Sequence, residues 1–407
     1  MKIGIFFDGR TNAGGGFYLS QSKLDLLIKS IDIKNQYICF VTTNSTFKYL
    51  KEYENYNLKI LKVSFFLKLI FFLFSFQTLK KIFKLLKFRN PLETQLKKNK
   101  IDLLFFVSPS SFVRFCDETN FVYNIWEMQH RSIPFFPEYT DKKYSSSNFE
   151  IRENSYKFAV DKAFKVIIDS DRSKQDVVKA YNCSREDLFE MQAFVPTLPS
   201  YFEKVKDKNN FDNIFKELNL PKKKILFYPA QFWPHKNHIY LVNSLERMIQ
   251  KDNKEFIMVF TGHDKGNKEY ILKQIKNKNL QDHIFVFEYL NLEQIISLYL
   301  NSFAMTMTSL VGRSSLPLRE AFYFKLPVFY SSNILDKKYA CYVNELNLND
   351  FNSLNTYLSK DNFSIDSQKI SKAKDFYDTT CNDQVIINSY KNIINEYKFN
   401  QEFWKKN

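Results

Sequence analysis

Glycine is scarce: the chain has 8 in 407 residues, against 43 phenylalanines. Glycine serves where backbone φ is positive or where backbone must approach a ligand closely, so the loops that keep it carry information. Cysteine is sparse and unpatterned. Cys39, Cys116, Cys183, Cys341 and Cys381 are odd in number and lack CxxC spacing. A disulfide framework and a zinc site are therefore not expected, and a reducing compartment fits. The stretch SFFLKLIFFLFSFQTLKKIFKLLK at residues 64–87 is intensely apolar, yet its longest uncharged run covers only 69–79. A spanning helix needs roughly 20 such residues. Two readings stay open for it: a helix lying in the plane of a bilayer with its lysines at the headgroups, or a buried helix and loop. No small-residue cleavage site follows the opening MKIGIFF, which reads as a first strand rather than a signal peptide.

Lysine and aromatic residues are plentiful. Lys+Arg 59 against Asp+Glu 44 leaves a net charge of +15. That excess fits an anionic partner. It equally fits compositional drift toward Lys, Asn, Phe, Ile and Tyr on solvated faces. No zinc, helix-turn-helix or aromatic RNA motif accompanies the charge, so a nucleic-acid partner is not expected.

At this length two domains are the prior. Apolar runs at 3–7, 37–41, 103–107, 121–125 and 165–168 read as buried parallel strands. Helix-like segments lie between them at 20–31, 155–163 and 174–181. Between 197 and 221 the pattern dissolves into polar, Pro-bearing sequence, read as the crossing between halves. It then restarts with strands at 225–229, 256–260, 284–287, 304–307 and 328–330, alternating with helices. This order predicts two doubly wound α/β halves, with a terminal helix over 382–404.

The eight glycines fall in few places: Gly4 and Gly9 by the first strand, Gly14, Gly15 and Gly16 after it, Gly262 and Gly266 after another, and Gly312 after a third. Ligands of open α/β sheets bind at loops on the carboxyl ends of strands. Tight turns explain Gly262 and Gly266 equally well; they explain a triple glycine poorly.

The segment SLVGRSSLPLREAFYFKLPVFYSSN, residues 309–333, resembles the signature of the retaining "glycosyl transferases group 1" family at Leu316, Pro317, Glu320, Ala321, Leu326, Pro327 and Val328. ILFYPAQFWPHKNH at 225–238, FTGHDKGN at 260–267 and HIFVFEYLNLEQIISLY at 283–299 resemble further stretches of the family in order. So do IWEMQHRSIPFFPEY at 125–139 and DSDRSKQDVVKAY at 169–181.

The resemblance implies a GT-B fold of two Rossmann-like domains facing a cleft. The expected layout is 1–200 on the acceptor side, a linker at 201–221, a nucleotide-sugar domain at 222–381, and 382–407 returning to the first domain. It implies transfer of a sugar from a nucleotide-sugar donor to a glycan or lipid-linked glycan in bacterial surface polysaccharide synthesis. No cofactor or metal is expected, and the expected location is the cytoplasm, at the inner membrane face if 64–87 lies in a bilayer.

A leaving diphosphate, met without metal, needs cations, backbone N–H groups and a helix amino end. Lys236, Arg313, Ser314, Leu316 and Leu318 are the expected donors to it, with Gly15, Gly16 and Gly262 lining the site. Glu320 is expected to accept from ribose hydroxyls. His130 is the expected acceptor-facing catalytic residue beside Glu320, with Arg131 on the acceptor side. In same-face retaining transfer the leaving phosphate can itself take the acceptor's proton. The sequence departs from the family pattern where its first Glu falls on Gly312, its Arg on Gln231, and its His-Asp pair on Trp126 and Glu127.

Two other readings compete. Asp169-Ser170-Asp171 is a DxD motif, which in metal-dependent transferases holds a diphosphate through a cation; the same residues also suit a helix start. The departures would also suit a non-catalytic sugar-binding or scaffold protein.

Overall fold

The computed structural model describes residues 1–8, 15–32, 36–52, 57–60, 85, 90–140, 149–191, 197–312, 316–358 and 366–406. The apolar stretch 64–87 lies outside these, apart from Leu85, and no described helix is long and apolar enough to cross a membrane.

The chain forms two compact units. The first comprises 1–128, 149–195 and 383–407, and the second 129–148 and 196–382. Residues 129–148, inside the stretch expected to be the first domain, thus group with the second unit.

The first unit holds a seven-stranded parallel sheet in the order β3-β2-β1-β4-β5-β6-β7. Its strands are β1 Lys2–Phe7, β2 Gln36–Val41, β3 Leu58–Ile60, β4 Leu103–Phe106, β5 Asn120–Ile125, β6 Lys165–Ile168 and β7 Leu188–Glu190. The central strands are apolar on both faces: Ile3, Ile5, Phe6, Phe7, Leu103 and Leu104 are all buried. Helices on both sides of a parallel sheet require that pattern. Strand order reverses between β1 and β4. There Asp8, just past β1, accepts from Thr42 Oγ1 at 2.7 Å and Ser110 Oγ at 2.6 Å.

The helix Asp383–Lys406 packs on this unit, against the helix Gly15–Ser30. Tyr390 meets Phe105 edge-on, and Tyr397 donates to the Asp102 carbonyl at 2.8 Å. Lys165 pairs with Glu396 at 2.8 Å.

The DxD residues are spent on a helix start. Ser170 caps the helix Asp171–Tyr181 through the Ser173 amide, Asp169 takes the Ser173 hydroxyl at 3.2 Å, and Asp171 pairs with Arg185.

The second unit repeats the scheme with six parallel strands in the order β10-β9-β8-β11-β12-β13. These are β8 Lys224–Pro229, β9 Phe256–Thr261, β10 Ile284–Phe287, β11 Ala304–Met307, β12 Val328–Ser331 and β13 Asn344–Leu346. The reversal lies between β8 and β11.

Residues 197–221, read from sequence as the crossing between the halves, contain the helices Thr197–Val205 and Ile214–Glu217. Pro199 reads as a breaker in sequence, but it sits in a first turn, where proline costs no hydrogen bond. Phe202 then packs on Phe211 and Phe324 with ring centroids 5.6 and 5.5 Å apart.

Ile393 is fully buried on the terminal helix. Ile393→Ala should cost about 2–5 kcal/mol of stability, seen as a lower urea midpoint. An unchanged midpoint would mean that the helix does not contribute to the first unit's core.

Candidate functional site

Ligand crevices in open α/β sheets form outside the carboxyl ends of the strands where strand order reverses. In the second unit that places the site between two loops: 230–237, which follows β8, and the loop after β11, which begins at Thr308.

The first loop is built to hold its end rigid. Pro234 opens the 3₁₀ turn Pro234–Lys236, and Asn237, in the left-handed region at φ 55°, redirects the chain into the helix His238–Gln250. Tyr228, near the end of β8, donates its hydroxyl to the Lys236 carbonyl at 2.6 Å. From the other loop, Thr308 Oγ1 reaches the carbonyls of Lys236 at 3.3 Å and Asn237 at 3.2 Å. The Leu310 amide donates to the His235 carbonyl at 2.9 Å. Both loops therefore share one hydrogen-bond set, and the backbone of Lys236 is held on the side facing the sheet.

Lys236 itself is half-buried. Desolvation lowers its pKa to about 8, against the opposing pull of the Glu138 carboxylate. No ion pair of its ammonium occurs among the described residues. An anion entering the crevice would both pair with this cation and restore its proton affinity.

Beside it lies a pair the sequence did not reveal. Glu138, in the short helix Pro137–Thr140, accepts from the His235 backbone amide at 3.0 Å and sits 2.7 Å from His235 Nδ1, all through Oε1. Both side chains are buried. Burial works to raise the Glu138 pKa, but the bonds from His235 outweigh it and the carboxyl is lowered. Burial likewise pushes His235 below the usual imidazole value. The only hint in sequence is the two polar residues inside apolar motifs, FFPEY and FWPHK.

His238 is structural. It is fully buried, stacks on Phe232 at 4.4 Å and bonds the Ala230 carbonyl through Nε2 at 3.2 Å, and desolvation drops its pKa to about 3.

The expected residues divide as follows. Gly262 holds two backbones together: a Cβ there would lie 2.6 Å from the Ala230 carbonyl oxygen. Its neighbour strand segment continues this contact through Phe232 N to His263 O at 3.0 Å. Gly262 thus shapes the Lys236 loop from behind, and its place in the site is through that packing.

Gly312 has φ +82°, a conformation costly for a side chain. The helix Leu316–Tyr323 starts close after it in sequence. Leu318 is fully buried and Leu316 half-buried, so only their backbone groups in the first turn suit an anion. Arg313 and Ser314 lie outside the described residues.

Glu320 is partly buried and accepts from the Tyr299 hydroxyl at 2.7 Å through Oε2. Desolvation raises its pKa to about 7, with the Tyr299 bond opposing. The Tyr299 ring is itself fixed by stacking on Phe324 at 5.3 Å. Oε1 has no hydrogen-bond partner among the described residues.

His130 was expected to face an acceptor. It lies fully buried in the helix Gln129–Ser132, its ring 6.4 Å from Tyr139. Arg131 beside it is exposed. Gly15 and Gly16 open the helix Gly15–Ser30 of the first unit, where a Cβ on Gly16 would touch Trp126 at 3.4 Å.

A groove lies at the amino ends of β8 and β11, lined by Lys222, Lys223, Phe303, Phe324 and Tyr299, the residue that donates to Glu320. It holds none of the expected site residues.

The raised Glu320 pKa has a sign that can be tested. An unfolded glutamate ionises near 4.5, whereas this one keeps its proton to about 7. Stability is therefore lost as pH rises across that window. Glu320→Gln, which can still accept from Tyr299, should be more stable than wild type at pH 8 by about 1–3 kcal/mol and roughly equal to it at pH 4.5. Equal stability at both values would contradict the burial. Gly262→Ala should lower stability by about 1–3 kcal/mol, measured by thermal denaturation.

Residues 210–335 match the model of the family described as "Glycosyl transferases group 1". Among curated proteins no sequence matches.

Solved structures resemble the whole chain at low identity. HepE of Anabaena in complex with UDP-glucose superimposes with a TM-score of 0.68 at 13% identity, covering 97% of this chain and 100% of that one. WaaG, a glycosyltransferase involved in lipopolysaccharide biosynthesis, gives 0.67 at 10% identity, covering 96% and 99%. Sucrose-phosphate synthase from Thermosynechococcus elongatus gives 0.66 at 13% identity, covering all of both chains (100% and 100%). The chain has the GT-B fold, and the part of it that carries Lys236 and Glu320 matches the model of the glycosyl transferases group 1 family.

Proposed function

We propose that this protein transfers a sugar from a nucleotide-sugar donor, bound by its second unit, to a glycan or lipid-linked glycan. The observation that carries this reading is the Lys236 turn at the strand-order reversal, hydrogen-bonded to the loop that leads from β11 toward the helix bearing Glu320.

A nucleotide diphosphate gains charge as its glycosidic bond breaks. The Lys236 ammonium and the amides at the start of the helix Leu316–Tyr323 are the groups that take up this charge. Glu320 Oε1 is left to accept from ribose hydroxyls, because Oε2 is already engaged by Tyr299. The comparisons support the same reading: HepE is solved with UDP and with UDP-glucose.

In this scheme no resident metal is required. The configuration at the anomeric carbon is retained, and the departing phosphate takes the proton of the incoming hydroxyl. We place the activity in bacterial surface polysaccharide synthesis on the cytoplasmic side of the membrane.

Thermal-shift titration with UDP and GDP nucleotides tests the donor. At least one should raise the melting temperature, and a protein indifferent to all of them would be a scaffold rather than a transferase. Lys236→Ala and Glu320→Gln should each cut turnover by at least about tenfold; unchanged turnover in both would remove these residues from the site. Donor affinity should also weaken as pH rises through about 8, where Lys236 loses its proton, and Lys236→Met should lose that dependence.

A further inference from the structure

The pair Glu138–His235 has a use that goes deeper into the same site, and it rests on the donor reading above. An ionised carboxylate can only accept hydrogen bonds. Glu138 Oε1 lies 2.7 Å from His235 Nδ1 and also takes the His235 amide at 3.0 Å, so the ring and its own backbone are clamped by one oxygen. The proton of the neutral ring then resides on Nδ1, and Nε2 has no partner among the described residues.

We propose that Glu138 is a positioning residue that fixes His235 as the Nδ1–H tautomer, leaving Nε2 as a hydrogen-bond acceptor for a hydroxyl of the bound nucleotide-sugar. The alternative, a charged imidazolium contacting the diphosphate, is disfavoured by the surroundings. His235 is buried and adjoins the Lys236 cation, and both effects act against a second positive charge, with Glu138 alone opposing them. A neutral ring presenting a lone pair repels phosphate oxygens, which are themselves acceptors, and selects an O–H donor.

The arrangement thus divides labour along one turn: Lys236 for the anion, His235 for a hydroxyl. The titratable groups facing His235 are Glu138 from the helix Pro137–Thr140 and Lys236 on its own turn, and His238 responds to the same field.

The full chain with ¹⁵N-labelled histidine tests the tautomer directly. Long-range ¹H–¹⁵N correlations at pH 8, with the His235 signals assigned by their loss in His235→Gln, should show the proton on Nδ1. A proton on Nε2, or on both nitrogens, overturns the proposal.

Calorimetry with UDP-glucose and GDP-mannose tests the contact. The affinity of the sugar nucleotide that binds should fall by about fivefold on the acid side as His235 takes up a second ring proton, the scale of one lost neutral hydrogen bond. In Glu138→Gln that loss should move to lower pH, because the charge favouring the imidazolium is gone. Affinity that instead rises on acidification, or a limb unmoved in Glu138→Gln, would contradict the assignment. Binding of neither sugar nucleotide fails the donor reading, whereas the tautomer measurement still decides the role of Glu138.

Discussion

The second unit's candidate site depends on one set of hydrogen bonds around the carbonyls of His235, Lys236 and Asn237. Tyr228 reaches up from β8, and Thr308 and Leu310 reach across from the loop after β11. Four hydrogen bonds from two elements converge on three successive carbonyls, so another backbone conformation of this loop would have to give up several of them at once. The consequence is functional. The backbone that carries Lys236 is held before any anion arrives, and partial burial of the side chain lowers its pKa.

Glu138 extends this set to a segment far away in sequence. Through His235 it joins residues 137–140 to the Lys236 turn, so a stretch placed by sequence order in the first half folds with the second. Gly262 works from the opposite side, where only the absence of a Cβ lets the β9 loop lie against Ala230. Gly312 has a different constraint. Its positive φ suits glycine and resists glutamate, so the departure from the family pattern at this position is built into the backbone as well as the side chain.

Strong periodic signals made the fold legible. The strands β6, β10 and β11 fall at 165–168, 284–287 and 304–307, where apolar runs predicted them. The three-residue strands β3, β7 and β13 were missed, because edge strands that short carry no period. The helix Thr197–Val205 was missed because its buried face is small and Pro199 imitates a breaker.

For the candidate site, motifs singled out Lys236 and Glu320, and the environments of these residues were not legible. A carboxylate bonded to Tyr299 and a lysine depleted of water are properties of packing between segments 21 and 98 residues apart in the chain. The burial of His130 was hidden for the same reason: the sequence pointed to an acceptor-facing histidine, and only the fold shows it enclosed. Glu138 and His235, 97 residues apart, could be paired only by coordinates.

The central claim is that the diphosphate of a nucleotide-sugar is bound at the Lys236 turn. A crystal structure of the protein with the nucleotide that raises its melting temperature is the direct measurement. The account predicts phosphate oxygens within hydrogen-bond distance of Lys236 Nζ and ribose hydroxyls at Glu320. Nucleotide bound in the groove at the amino ends of β8 and β11, or anywhere that leaves Lys236 untouched, would contradict it.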